Sequence, residues 1–302
     1  MTVSVTARCE EIGDGVFGYV QPDGGWCLNN AGIITSGART ALVDTVATEA
    51  RARALRSAVS KVSSVMPGVI VNTHFHGDHT FGNFLFPEAV VVAHERTREE
   101  MAAAGLHLTG LWPDVSWGGV DLVLPELTYT NKMVVHVGDV VAELLHMGPA
   151  HTTDDTVVWL PAERVLFTGD VVLSGATPFC LMGSVAGSLA AVSRLRALEP
   201  KVIVPGHGRI GGPELLDETE RYFGWLQRLA REGIAAGLSP LELAAEADLG
   251  EFQDLLDAER LVPNLHRAYI EYDGAEPGIP LDVGALFAEM VRHHGGLPVC
   301  HA

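Results

Sequence analysis

Short apolar runs closed by glycine and polar turns fill the chain up to about residue 204, and amphipathic helical spacing takes over beyond it. Val16–Val20, Ala31–Thr35 and Ala41–Thr45 read as strands, followed by a helix near Glu49–Val62 and a buried strand at Gly68–Asn72. A comparable series recurs at Met133–Val137, Val140–His146, Thr156–Leu160 and Arg164–Thr168, with a helix near Leu189–Leu198 and a strand at Val202–Val204. Residues 15–72 and 134–204 thus form two similar halves. Mixed strands with interspersed helices predict an α/β fold of two sheets packed face to face with helices outside.

From Pro213 the pattern turns helical. Glu214–Ala236 carries Leu215, Leu216, Tyr222, Phe223, Leu226 and Leu229 as one apolar stripe. Ser239 and Pro240 supply an N-cap and a first helical position, and Asp254–Tyr272 and Val283–His294 read as two more helices. Breaks at Asp273–Pro280 and Gly295–Pro298 set off the last one. The expected division is a main domain over 1–212 and a helical region over 213–302, packed across the active-site edge.

The chemistry sits where the apolar runs stop. Thr73-His74-Phe75-His76-Gly77-Asp78-His79 follows the Gly68–Asn72 strand. Residues two apart in a strand share a face, so His74 and His76 are placed to reach one metal. Past Gly77, Asp78 and His79 are free to serve a second. His151 precedes the Thr156–Leu160 strand, Asp170 ends the run from Val165, and His207 follows Val202–Gly206. A strand-end histidine alone signals little, but four such junctions together signal a two-metal hydrolytic centre.

This ordered set, from His74 to His207, resembles the metallo-β-lactamase superfamily. The resemblance implies a four-layer αββα sandwich with metals at the loop edge between the sheets. It also implies that His74, His76 and His151 hold a first metal, that Asp78, His79 and His207 hold a second, and that Asp170 bridges them. Imidazole and carboxylate donors without thiolate suit two Zn²⁺, and iron or manganese accepts the same donors. An Asp-bridged site is similar to the hydroxyacylglutathione hydrolase and other thioester- or ester-cleaving branches rather than to the β-lactam-hydrolysing ones.

Composition narrows the partners. The 302 residues include 47% hydrophobic and 19% charged positions, in keeping with an ordinary globular chain. No run approaches the roughly 20 apolar residues of a membrane span. Met1–Arg8 lacks the pattern of a signal peptide. A net charge of −18 leaves no basic stripe for nucleic acid. Cys9, Cys27, Cys180 and Cys300 have no metal-binding spacing and read as free thiols in a reducing cytoplasm, with Cys27 and Cys180 as small buried hydrophobes.

Two loops read either as apolar fill between the layers or as substrate walls. Gly105–Pro113, continuing through Trp117, and Ser174–Ser184 are apolar and aromatic yet broken by glycine and proline. They offer His107, Trp112, Phe179 and Met182 as substrate-binding residues. Arg228, Arg231 and Arg267 read as solvated helix-face charges. Pro22–Gly32, Leu106–Pro113 and Met182–Ser188 resemble second-ring cyclases of bacterial aromatic polyketide pathways, of the actinorhodin type, from about Val16 to Tyr272. That resemblance implies an intramolecular aldol closing a second ring, with hydrolysis of the thioester to an acyl carrier protein. Metal hydroxide or Asp78 would take the proton, and no serine or cysteine nucleophile is needed. A carrier would dock through Arg51, Arg53 and Arg56 or through Arg228 and Arg231, unless the released substrate is used. A general thioester or lactone hydrolase is the alternative.

Overall fold

Neighbouring residues on the central strands feed different layers, which is why those strands read as unbroken apolar runs. A computed structural model describes residues 6–302; residues 1–5, part of the segment read as lacking a signal peptide, lie outside it. One sheet carries β1 (Arg8–Gly13), β2 (Val16–Val20), β3 (Ala31–Ser36), β4 (Arg39–Val43), β5 (Val69–Val71), β6 (Val90–His94) and β7 (Leu127–Tyr129), side by side in chain order. Pairing is antiparallel from β1 to β4 and parallel from β4 to β7. The other sheet carries β8 (Lys132–Val137), β9 (Val140–His146), β10 (Thr156–Leu160), β11 (Val165–Phe167) and β12 (Val202–Val204), with only β11 and β12 parallel.

Val43, Val71, Val92 and Tyr129 from the first sheet meet Leu144, Val158, Phe167 and Val204 from the second. Their strand neighbours Leu42, Ile70 and Val91 face the other way, against Leu55 and Val59 of α1 (Glu49–Val62). On the far side, Val157, Trp159 and Ile203 pack on Val192 and Leu195 of α5 (Val185–Arg196) and on Leu215 and Leu216 of α6 (Glu214–Ala236). The resulting layers are helix, sheet, sheet, helix. Three short helices, α2 (Gly77–Thr80), α3 (Glu95–Ala104) and α4 (His107–Leu111), lie between the sheet strands in the chain.

The stripe expected on α6 is buried around Tyr222, Phe223 and Leu226. It packs with α7 (Pro240–Glu246), α8 (Leu261–Tyr272) and α9 (Val283–His294). Ser239 caps α7 as anticipated, with Glu242 closing a reciprocal capping box. Among the described residues no helix is long and apolar enough to cross a membrane.

Several sequence readings shift. The helix expected from Asp254 starts at Leu261, because Asp257 takes a left-handed backbone (φ 57°) and a 3-10 turn covers Ala258–Arg260. Helix α5 starts at Val185, where the Ser184 side chain accepts from Gly187 N. Strands β1, β6 and β7 and helix α3 were not anticipated. β1 is largely exposed and β7 has three residues, so neither carries much periodic signal. Arg267 lies on no solvated face: it is fully buried and donates to the carbonyl oxygens of Leu181 and Ile279. The loop from Leu106 to Trp117 forms part of a buried cluster, with α4 inside it, Trp112 and Trp117 buried there and the Trp117 ring edge-on to Phe81.

The facing sheets leave no room for a side chain at Gly32, where an added Cβ would meet the Phe167 ring at 2.8 Å from Cδ1 and closer still at Cε1. Gly32→Ala is therefore expected to destabilise the fold by ~1–3 kcal/mol, with Phe167→Leu in the same chain restoring part of the loss. Urea unfolding of the single and double variants measures both effects.

Candidate metal centre

The histidines do not converge because they share a strand face. Strand β5 ends at Val71, and His74–His76 lie in the following loop, with His76 at the N-cap of α2. What fixes that loop is Asp44, just beyond β4. Its carboxylate accepts from Thr73 N at 2.7 Å and from Thr73 Oγ1 at 2.7 Å, and it lies 2.8 Å from His79 Nδ1. Thr73 Oγ1 in turn lies 3.0 Å from His74 Nδ1. Asp44 thereby sets both the loop and the ring planes on its two sides. It escaped the sequence reading, although it occupies the same strand-end position that singled out Asp170 and His207.

The seven expected residues come together in two groups. His74, His76, His151 and Asp170 form one, and Asp78, His79 and His207 the other, each with its potential ligand atoms within 4.8 Å of one another. In the first, His74 Nε2 and His151 Nε2 lie 3.1 and 3.0 Å from His76 Nδ1. The far nitrogen of His151 is held by the Phe179 carbonyl at 2.6 Å. In the second, His207 Nε2 lies 3.3 Å and His79 Nε2 4.0 Å from Asp78 Oδ2. Asp170 spans both groups: Oδ2 is 3.5 Å from Nε2 of His151 and of His207, and Oδ1 is 3.1 Å from His79 Nε2. Asp170 sits in a 3-10 turn after β11, and Gly206 lets it in, since a Cβ there would press on its carboxylate.

These residues suit a metal. His79 Nε2 and Asp170 Oδ1 face each other, yet neither has an aligned hydrogen-bond partner. Burial drives the imidazoles of His74 and His76 well below the usual range, with His79 and His74 respectively adding to it, so both are neutral donors. Burial opposes the charge on Asp78 and Asp170, but the bond from His207 holds Asp78 down and the nearby His207 and His79 hold Asp170 down. Both carboxylates are ionised. Burial also opposes a charge on His207, but Asp170 outweighs it and raises the group to about 9. Metal binding on that side would therefore release a proton.

A model of the metallo-beta-lactamase superfamily matches residues 24–207. The chain belongs to that superfamily. It is 26% identical to "Metallo-beta-lactamase type 2" of Bacteroides fragilis, over 70% of this chain and 83% of that protein. It is 30% identical to the 2,4-dinitroanisole O-demethylase subunit alpha of a Nocardioides species, over 68% of this chain but only 57% of that one. The solved metallo-beta-lactamase from Pontibacter korlensis superposes with a TM-score of 0.60 at 23% identity, over 72% of this chain and 99% of the other, a likeness of fold.

In this superfamily member the centre opens into a cavity of about 390 Å³. His76, Asp78, His151, Asp170 and His207 line its floor, whereas His74 and His79 are sealed below. His107, Trp112, Phe179 and Met182, the four expected substrate residues, all line it. Trp26 joins them, 5.5 Å from Trp112 and 5.6 Å from Phe179 between ring centroids. Cys27 lines it while remaining buried. Arg260, Val283 and Phe287 complete it from the C-terminal region and were not singled out from the sequence. Only their place in an amphipathic helix or turn could have marked them.

Two substitutions separate the roles. Asp44→Asn keeps the size but loses the carboxylate on His79, and metal affinity is expected to fall about 10- to 100-fold. Asp170→Ala should lower occupancy of both groups together. Elemental analysis after dialysis against graded chelator reads both outcomes.

Proposed function

We propose that the protein is a dinuclear zinc enzyme that closes the second ring of an aromatic polyketide by intramolecular aldol reaction and hydrolyses its thioester. The observation that carries this reading is the aromatic cavity opening directly onto the two carboxylate-and-imidazole groups. His74, His76 and His151 would hold one metal, Asp78, His79 and His207 the other, and Asp170 both. Bound there, the metals would activate water near neutral pH and polarise a carbonyl oxygen.

The chain's own residues do the rest. Asp78, on the cavity floor and ionised, is the group placed to take a proton from an activated carbon or from water. Trp26, Trp112 and Phe179 form a wall of tilted and edge-on rings against which a flat chain folds before its carbons meet. Trp112 is held by its indole N–H to the Pro298 carbonyl at 2.7 Å, so the wall is fixed from behind. Residues 213–302 act as the cavity's cover, through Arg260, Val283 and Phe287. The relative named for dinitroanisole demethylation acts on an aromatic molecule, which supports an aromatic substrate here.

If the substrate arrives on an acyl carrier protein, its acidic surface needs free cations. Arg53 and Arg56 are taken by Glu49 and Glu88, and Arg51 bonds Gln21 and the His301 carbonyl. Arg228 and Arg231 have no ion-pair partner among the described residues, and they are the proposed docking pair.

Incubation with an aromatic polyketide thioester and with a glutathione thioester, products read by mass spectrometry, tests the reading. Cyclised acid from the first is expected; turnover of the second alone would replace it with a general thioester hydrolase. Trp112→Ala and Phe179→Ala should impair ring closure at least about tenfold more than cleavage of a small thioester, and equal losses would remove the wall from the mechanism.

A further inference from the structure

Two side chains of the cavity wall, outside the metal-holding set, carry buried polar atoms without a hydrogen-bond partner among the described residues: Arg260 Nε and His107 Nδ1. They belong to different walls. Arg260 lies over the Trp26 ring, 4.0 Å from its centroid, and 5.9 Å from that of Phe179. His107 sits at 6.0 Å from the rings of both Phe75 and Phe81.

Arg260 is 3% exposed. Its guanidinium has five N–H donors in one plane. One terminal nitrogen donates to the Thr177 carbonyl at 3.0 Å, and the other lies 2.8 Å from Asp257 Oδ2. Those two partners leave donors unclaimed in a cavity walled mainly by apolar side chains. The Trp26 indole N–H, which fixes the ring under the guanidinium, is bound to Glu259 Oε1 at 2.7 Å. A fixed, stacked and incompletely satisfied guanidinium in a low-dielectric wall is a receptor for a negatively charged oxygen. Filling the cavity with hydrocarbon alone would leave those donors unpaired, at a cost. On the other side, the unpartnered Nδ1 of His107 is an imidazole nitrogen suited to a hydroxyl or a carbonyl.

We infer that the cavity takes a planar apolar molecule with oxygen functions on two edges, an anionic or enolic oxygen held by Arg260 and a neutral hydroxyl or carbonyl met by His107. This substrate class deepens the aromatic-acyl reading of the same site and rests on it. Arg260 sets specificity for acidic substrates, and His107 sets their orientation over the floor.

Calorimetric titration of the zinc-loaded protein with 6-hydroxy-2-naphthoate, its methyl ester and 2-naphthoate tests this without any turnover. The acid should bind more tightly than the ester, and Arg260→Gln should erase that preference about 10- to 100-fold while leaving ester affinity in place. His107→Phe should remove the advantage of 6-hydroxy-2-naphthoate over 2-naphthoate. An acid preference that survives Arg260→Gln would assign the carboxylate to the metals and overturn the inference. If Arg260→Gln does not fold, as judged by circular dichroism and metal content, Arg260→Lys decides. It keeps the charge but loses the fork, so a partial loss of preference supports the inference and an unchanged preference overturns it. Arg260-dependent binding without polyketide turnover would keep this ligand class and reject the reaction, whereas turnover with Arg260-independent binding would do the reverse.

Discussion

Gathering five imidazoles and two carboxylates, all but His76 buried, at one edge of a two-sheet core is the constraint from which the rest of the structure follows. Charged and polar groups removed from water need partners, or they cost several kcal/mol each. Here the partners come from distant parts of the chain. Asp44 ties β4 to the Thr73–His79 loop, the Phe179 carbonyl holds His151, and Asp170 reaches His79, His151 and His207. None of these links is local in sequence. The sheets must be in register before the site exists, and the site in turn penalises any slip of the sheets.

The same arrangement divides labour between floor and wall. The floor is polar, ionised and rigidly held, as a hydrolytic metal centre requires. The wall is aromatic and comes from distant parts of the chain: Trp26 from the loop between β2 and β3, Trp112 from the segment after β6, Phe179 after β11, and Phe287 from α9. Substrate choice can therefore drift through the wall while the floor stays fixed.

Much of this was legible in the residues, and the failures have physical causes. The strands of the sheet-to-sheet interface announced themselves because both their faces are buried. All seven residues of the two groups were visible because imidazoles and carboxylates stood where apolar runs stopped. His74 and His76 converge without sharing a strand face, since β5 is only three residues long and the loop is shaped by Asp44. Asp44 and Arg260 act through contacts made by folding, and a single aspartate or arginine has no periodicity to betray it. Arg267 looked like surface charge because helical spacing alone cannot tell a solvated arginine from one that bonds two buried carbonyls.

The most direct measurement is anomalous diffraction at the zinc absorption edge from crystals of the zinc-reconstituted protein. Two peaks are expected, one among His74, His76 and His151 and one among Asp78, His79 and His207, with the Asp170 carboxylate between them. A single peak, or metal bound away from Asp170, would contradict a dinuclear centre at the base of this cavity.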